Sequence, residues 1–177
     1  MSAPLAPQPD EKDWTWVLDR PCPACGFDAT AVAGADVPRL VPAVLGSFTA
    51  ALAGPEAAVR PSPAVWSVLE YGCHVRDVCR IFEERLRLML TEDDPLFANW
   101  DQDETALTER YWAQDPATVA AEIAHAGERI ASAFAAVPVS EWTRRGRRSD
   151  GSAFTVDSLG RYFAHDLVHH VHDIGAG

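Results

Sequence analysis

Apolar residues recur at helical spacing in four stretches of the chain, with polar breaks between them. In the first, Val37, Leu40, Val41, Val44, Leu45, Phe48 and Leu52 form one stripe at i, i+3, i+4 and i+7. This predicts a helix from near Pro38 to Ala53 with Asp36 as its cap. Gly54-Pro55 ends it, and Pro61 and Pro63 keep the following connection extended. The second stretch opens at Ser67-Val68-Leu69-Glu70, where Ser and Glu three residues apart match a capping box. Its buried face is Tyr71, Val75, Val78, Ile81, Phe82, Leu86 and Met89, running to about Leu90. Arg76, Arg80, Glu83, Glu84 and Arg87 fall opposite, where i, i+4 pairing predicts a solvated face.

A long connection, Thr91 to Gln114, carries Trp100, Tyr111 and Trp112, with a short helix expected over Thr105 to Trp112. Its length permits a crossover between the second and third helices. The third helix starts at Asp115-Pro116, a cap followed by proline in the first turn. Val119, Ile123, Ile130, Phe134 and Val137 make its stripe, and His125 falls outside it, exposed and without a role. The fourth is capped by Thr155 and ends in Tyr162 to Ile174, with Leu159, Phe163, Leu167 and Ile174 toward the core. Residues 1–35, rich in Pro, Gly and Asp, read as an irregular lead-in packed on a helical domain of residues 36–177. The expected class is all-α.

Charge narrows the partners. The net charge of −11 argues against nucleic acid or an anionic membrane as the main partner. No apolar run reaches the ~20 residues that span a bilayer, and Met1 to Asp10 lacks a signal-peptide pattern. The expected location is cytoplasmic, and the expected partner a small molecule. Lys12 is the one lysine among 15 basic residues, which with abundant alanine suggests a GC-rich coding sequence.

The candidate chemistry is concentrated in histidine. Four of the six histidines fall between His165 and His172. On a helix His165, His169 and His172 project within roughly 60° of arc, while His170 points elsewhere. Imidazoles at i and i+4 can grip one metal ion, and a third ligand must then come from another helix. His74, at the edge of the second helix's apolar face, is either a half-buried core histidine or that third ligand. In the latter case Asp77 or Glu70 would orient its far nitrogen.

Cys22-Pro23-Ala24-Cys25-Gly26 is similar to one knuckle of a zinc ribbon. A structural zinc needs a second pair, and Cys73 and Cys79 are six apart on a predicted helix. Metal, reversible disulfide and free thiols all stay open for Cys22 and Cys25. The run Trp142 to Gly151 holds four arginines, either a solvated turn or a site for an anionic substrate group, with Arg147 and Arg148 the candidates.

Trp66-Ser67-x-x-Glu70-Tyr71-x-x-His74-x-x-Asp77, then Phe163-x-His165-Asp166-x-x-His169-His170, resembles the DinB-like superfamily. That group includes thiol-dependent S-transferases and the metal-binding domain of mycothiol-dependent maleylpyruvate isomerase. The likeness covers about residues 36–174. It implies a four-helix bundle with one long crossover, often a homodimer, and a three-histidine site on His74, His165 and His169. It also implies zinc or nickel with an open position, and bacillithiol or mycothiol as the nucleophile. Position 172 is His where related sequences often have Gln, so His172 is a possible additional ligand. Imidazole itself suits zinc, nickel and iron alike.

These readings combine into a metal-dependent S-transferase acting on a small electrophile, with mycothiol favoured by the coding bias. The alternatives are a hydrolase using metal-activated water and a non-catalytic, stress-responsive binding module.

Overall fold

The computed structural model describes residues 13–176, so the expectation about Met1 to Asp10 falls outside the described residues. Four long helices form where the stripes place them: α1 (Val37–Leu52), α2 (Val68–Thr91), α4 (Pro116–Ala135) and α5 (Val156–Asp173). Asp36 precedes α1 without capping it, because its carboxylate accepts from the Ala33 amide instead. The Ser67 hydroxyl accepts from the Glu70 amide, and the Glu70 carboxylate accepts from the Ser67 amide, closing the α2 box in both directions. Asp115 caps α4 through the Thr118 amide, and Thr155 caps α5 through that of Ser158. Each cap satisfies amides that the first helical turn leaves without partners.

These helices make a four-helix bundle. α4 lies between α1 and α2, and α5 packs on both from the other side, so the consecutive α1 and α2 are largely diagonal. Gly127 allows α1 to close on α4: a Cβ there would stand 2.2 Å from Leu45 Cδ1. The core runs through Leu45, Phe48, Leu69, Phe82, Ile123, Phe134 and Phe163. Among the described residues no helix is long and apolar enough to cross a membrane.

The crossover differs from expectation. It forms strand β1 (Leu96–Phe97), helix α3 (Gln102–Thr108) and a separate 3-10 turn at Tyr111–Ala113, rather than one helix over 105–112. The arginine-rich run forms β2 (Arg145–Arg148), parallel to β1 and antiparallel to β3 (Ala153–Thr155). Arg144 donates to the carbonyls of Met89 and Glu92, at the C-terminal end of α2 where carbonyls have no amide donor within the helix.

Arg76 is also a correction. It is buried rather than solvated, donating to Asp77, Gln114 and Glu122 and so tying the crossover and α4 to α2. The lead-in, three short 3-10 turns, lies along α5. Arg161 donates to the carbonyls of Leu18 and Ala29, and Asp157 accepts from the Gly34 amide.

Candidate metal centre

The geometry of α5 decides where its histidines go. Leu159, Phe163, Leu167 and Val171 form its buried stripe. At 100° per residue, His165 and His169 each sit about 160° from Leu167, whereas Asp166 and His170 sit about 100° and 60° away. The first pair therefore faces away from the bundle, and the second flanks the core on the side toward α2. Two i, i+4 pairs, offset by one residue, serve different surroundings.

The second pair meets α2. One ligand atom from each of His74, Asp166 and His170 lies within 4.8 Å of the others. Asp166 Oδ1 is 3.8 Å from His74 Nε2 and 3.5 Å from His170 Nε2. Nδ1 of His170 is 2.8 Å from Asp173 Oδ2, a carboxylate placed to hold the ring with Nε2 toward the cluster. His74 is 1% exposed, stacked against Trp100 (5.2 Å, 9°) and flanked by Trp66.

The donor set fits a divalent cation. Both nitrogens of His74 and Oδ1 of Asp166 are buried without a hydrogen-bond partner. Leaving such groups unmet costs about 1–3 kcal/mol each, which a cation would offset. Burial, helped by His170, pushes the His74 pKa well below its usual range, so the ring is neutral and its lone pair available. Burial raises the Asp166 pKa, with His170 and Arg85 opposing. At Asp173 burial works upward, but the His170 hydrogen bond and the nearby imidazoles bring the net shift downward.

The outward pair meets the lead-in. His165 and His169 gather with Cys22 and Cys25, again within 4.8 Å of one another. The structure therefore divides the three histidines expected to share one ion: His74 joins Asp166 and His170, while His165 and His169 join the cysteines. His172 is exposed, its ring 6.3 Å from that of His169. The carboxylates expected to orient His74 are engaged elsewhere. Glu70 accepts from Arg60 and Ser67, and Asp77 from Arg76, Arg80 and the Tyr111 hydroxyl.

A cleft of about 940 Å³ opens over both clusters. Trp14, Trp66, Tyr71, Trp100 and Tyr162 form its walls, and Asp166, His170 and Asp173 line it from α5. Arg148 lies on the cleft beside Asp150 and Ser152, whereas Arg147 pairs with Asp94 and does not line it. Sequence reasoning missed Asp166 and His170 as a pair. The signal was present in a second i, i+4 spacing followed by Asp173 at i+7.

A family model described as the DinB superfamily matches residues 39–174. No curated protein matches the chain in sequence. Among solved structures it is similar to YfiT from Bacillus subtilis, at 19% identity and a TM-score of 0.68, covering 84% of this chain and 85% of that one. YfiT is described as a probable metal-dependent hydrolase with an unusual four-helix bundle topology. At that identity the likeness speaks to the fold.

Proposed function

The chain belongs to the DinB superfamily, and we propose that it is a metal-dependent transferase that joins a low-molecular-weight thiol to a small electrophile, with His74, Asp166 and His170 as the ligands. One observation carries this reading: the unpartnered nitrogens of His74 and the orphan oxygen of Asp166, gathered with His170 beneath the cleft. A divalent ion held there supplies Lewis acidity, bringing the ionisation of a thiol or water toward neutral pH.

The chain's own residues do the rest. As ligands, His74 and His170 would bind as neutral imidazoles and leave the ion's charge intact, and Asp166 would offset part of it. Asp173 holds the His170 ring in register through the 2.8 Å contact at Nδ1. Trp100 and Trp66 shield His74 from water on its open side. To Arg148, which lines the cleft and pairs with Asp150, we assign the binding of an anionic group of a reactant.

Cleft size favours a thiol cosubstrate over water. About 940 Å³ lies at the upper end of small-molecule sites and has room for two organic reactants. The description of YfiT as a probable hydrolase supports a second reading, with water as the nucleophile. Metal-loaded protein is assayed against an electrophile panel with and without mycothiol, bacillithiol or cysteine. Conjugation that needs both thiol and His170 supports transfer. Turnover without thiol transfers the reading to hydrolysis, and full activity in His170→Ala removes this ligand set.

A further inference from the structure

We infer that Cys22, Cys25, His165 and His169 form a second metal site, a structural zinc site that fastens the lead-in to the outer face of α5. The two halves carry the spacings of a two-cysteine, two-histidine zinc site, Cys-x-x-Cys and His-x-x-x-His, although more than a hundred residues separate them. The fold supplies the second pair that the cysteine knuckle lacks in its own neighbourhood.

The local geometry is built for this. Cys22 Sγ is 3.6 Å from His169 Nδ1, and one ligand atom from each of the four lies within 4.8 Å of the rest. The knuckle closes through hydrogen bonds from the Gly26 amide to the Cys22 carbonyl and from the Cys22 amide to the Phe27 carbonyl. Gly26 takes φ +74°, a left-handed conformation open to glycine at no steric cost. The Phe27 amide lies against the Cys25 sulfur.

The independent sign of a missing ligand is on the helix. His165 faces away from the bundle core, yet it is 3% exposed because the lead-in covers it, and its Nε2 is buried with no hydrogen-bond partner. Cys22, from the other side, is 1% exposed, and neither cysteine is in a disulfide. Thiolate with imidazole in a four-ligand set is the donor chemistry of zinc, and with all four positions taken by protein it is structural rather than catalytic. The two thiols lose their protons on binding.

The site has a consequence for the cleft. Trp14, ring centroids 4.9 Å from His169 and 5.8 Å from His165, forms part of the cleft wall. A metal at these four residues would fix that wall in place. It would also close a very long chain loop, where a clip restrains the unfolded chain most.

Untagged, reduced protein is stripped of metal, reloaded with cobalt and read by absorption. The expected result is a thiolate-to-cobalt charge-transfer band in wild type and equally in His170→Ala, which tests this site apart from the cluster under the cleft. Cys22→Ser/Cys25→Ser is expected to lose the band and about one equivalent of zinc per chain. Cys25→Ser alone, at the more exposed sulfur, weakens the band and decides the matter if the double variant fails to fold. No band in reduced wild type, or a band that survives loss of both cysteines, overturns the inference. Isolation of the pair as a metal-free disulfide under reducing purification does so as well.

Discussion

Nδ1 of His170 stands 2.8 Å from Oδ2 of Asp173, one turn further along α5, and this contact leaves His170 Nε2 directed at Asp166 and His74. A carboxylate behind a ligating imidazole fixes its tautomer and raises its basicity. Asp173→Asn keeps the shape and removes the charge. It is expected to weaken metal affinity about 10–100-fold with the fold intact. Competition against a chromogenic chelator measures this, and unchanged affinity would separate Asp173 from the centre.

His74 presents the opposite balance between stability and function. Its ring is buried with neither nitrogen hydrogen-bonded. In metal-free protein His74→Leu removes two unmet polar atoms at similar volume, so it is expected to be neutral or stabilising by about 1–2 kcal/mol. Metal-dependent activity is expected to vanish in the same variant. Thermal melts in chelator beside activity assays check both, and a large loss of stability in the apo variant contradicts unmet nitrogens at His74.

Acid should destabilise the metal-free protein earlier than carboxylates alone predict. The folded His165 pKa is pushed down to about 4, first by burial and then by His169, and that of His74 also lies well below 6.5. In the unfolded chain both protonate near their ordinary value. The unfolded state therefore binds more protons, and stability, complete above about pH 6.5, falls as pH drops toward the folded pKa values. Asp166, raised by burial, contributes with the opposite sign, its stabilisation being lost as pH rises through its folded pKa. Urea melts in chelator are expected to show lower stability at about pH 5 than at about pH 7, and the two histidines to carry the difference. His165→Gln should flatten part of that slope.

Arg76 fastens the crossover. Its guanidinium contacts Asp77, Gln114 and Glu122 at 2.7–2.9 Å, and Asp77 also accepts from the Tyr111 hydroxyl. Arg76→Ala leaves the largely buried Asp77 short of its main counter-charge and is expected to cost about 3–5 kcal/mol in chemical denaturation. An effect below about 0.5 kcal/mol would mark the network as peripheral.

The helices were legible because caps and apolar stripes are local: Ser67 with Glu70, Asp115 with Pro116, and Thr155 with Ser158 each act within a turn. The small sheet was not, since β1 and β3 are two and three residues long and β2 reads as an arginine-rich turn. Arg76 looked solvated because helix periodicity does not register what a distant crossover brings against it. The proposed metal ligands depended on how α5 is rotated about its axis. A helical wheel places His165 and His169 together, but tertiary packing alone puts Asp166 and His170 toward α2 and the lead-in over the other pair. The same covering makes a partner for Cys22 and Cys25 that spacing along the chain does not reveal.

Anomalous diffraction at the zinc edge, on crystals grown with the metal, tests the central claim most directly. The expected result is a peak bounded by His74, Asp166 and His170 and open to the cleft, separate from the peak expected at Cys22, Cys25, His165 and His169. A peak coordinated instead by His74, His165 and His169, or no density beside His74, would contradict it.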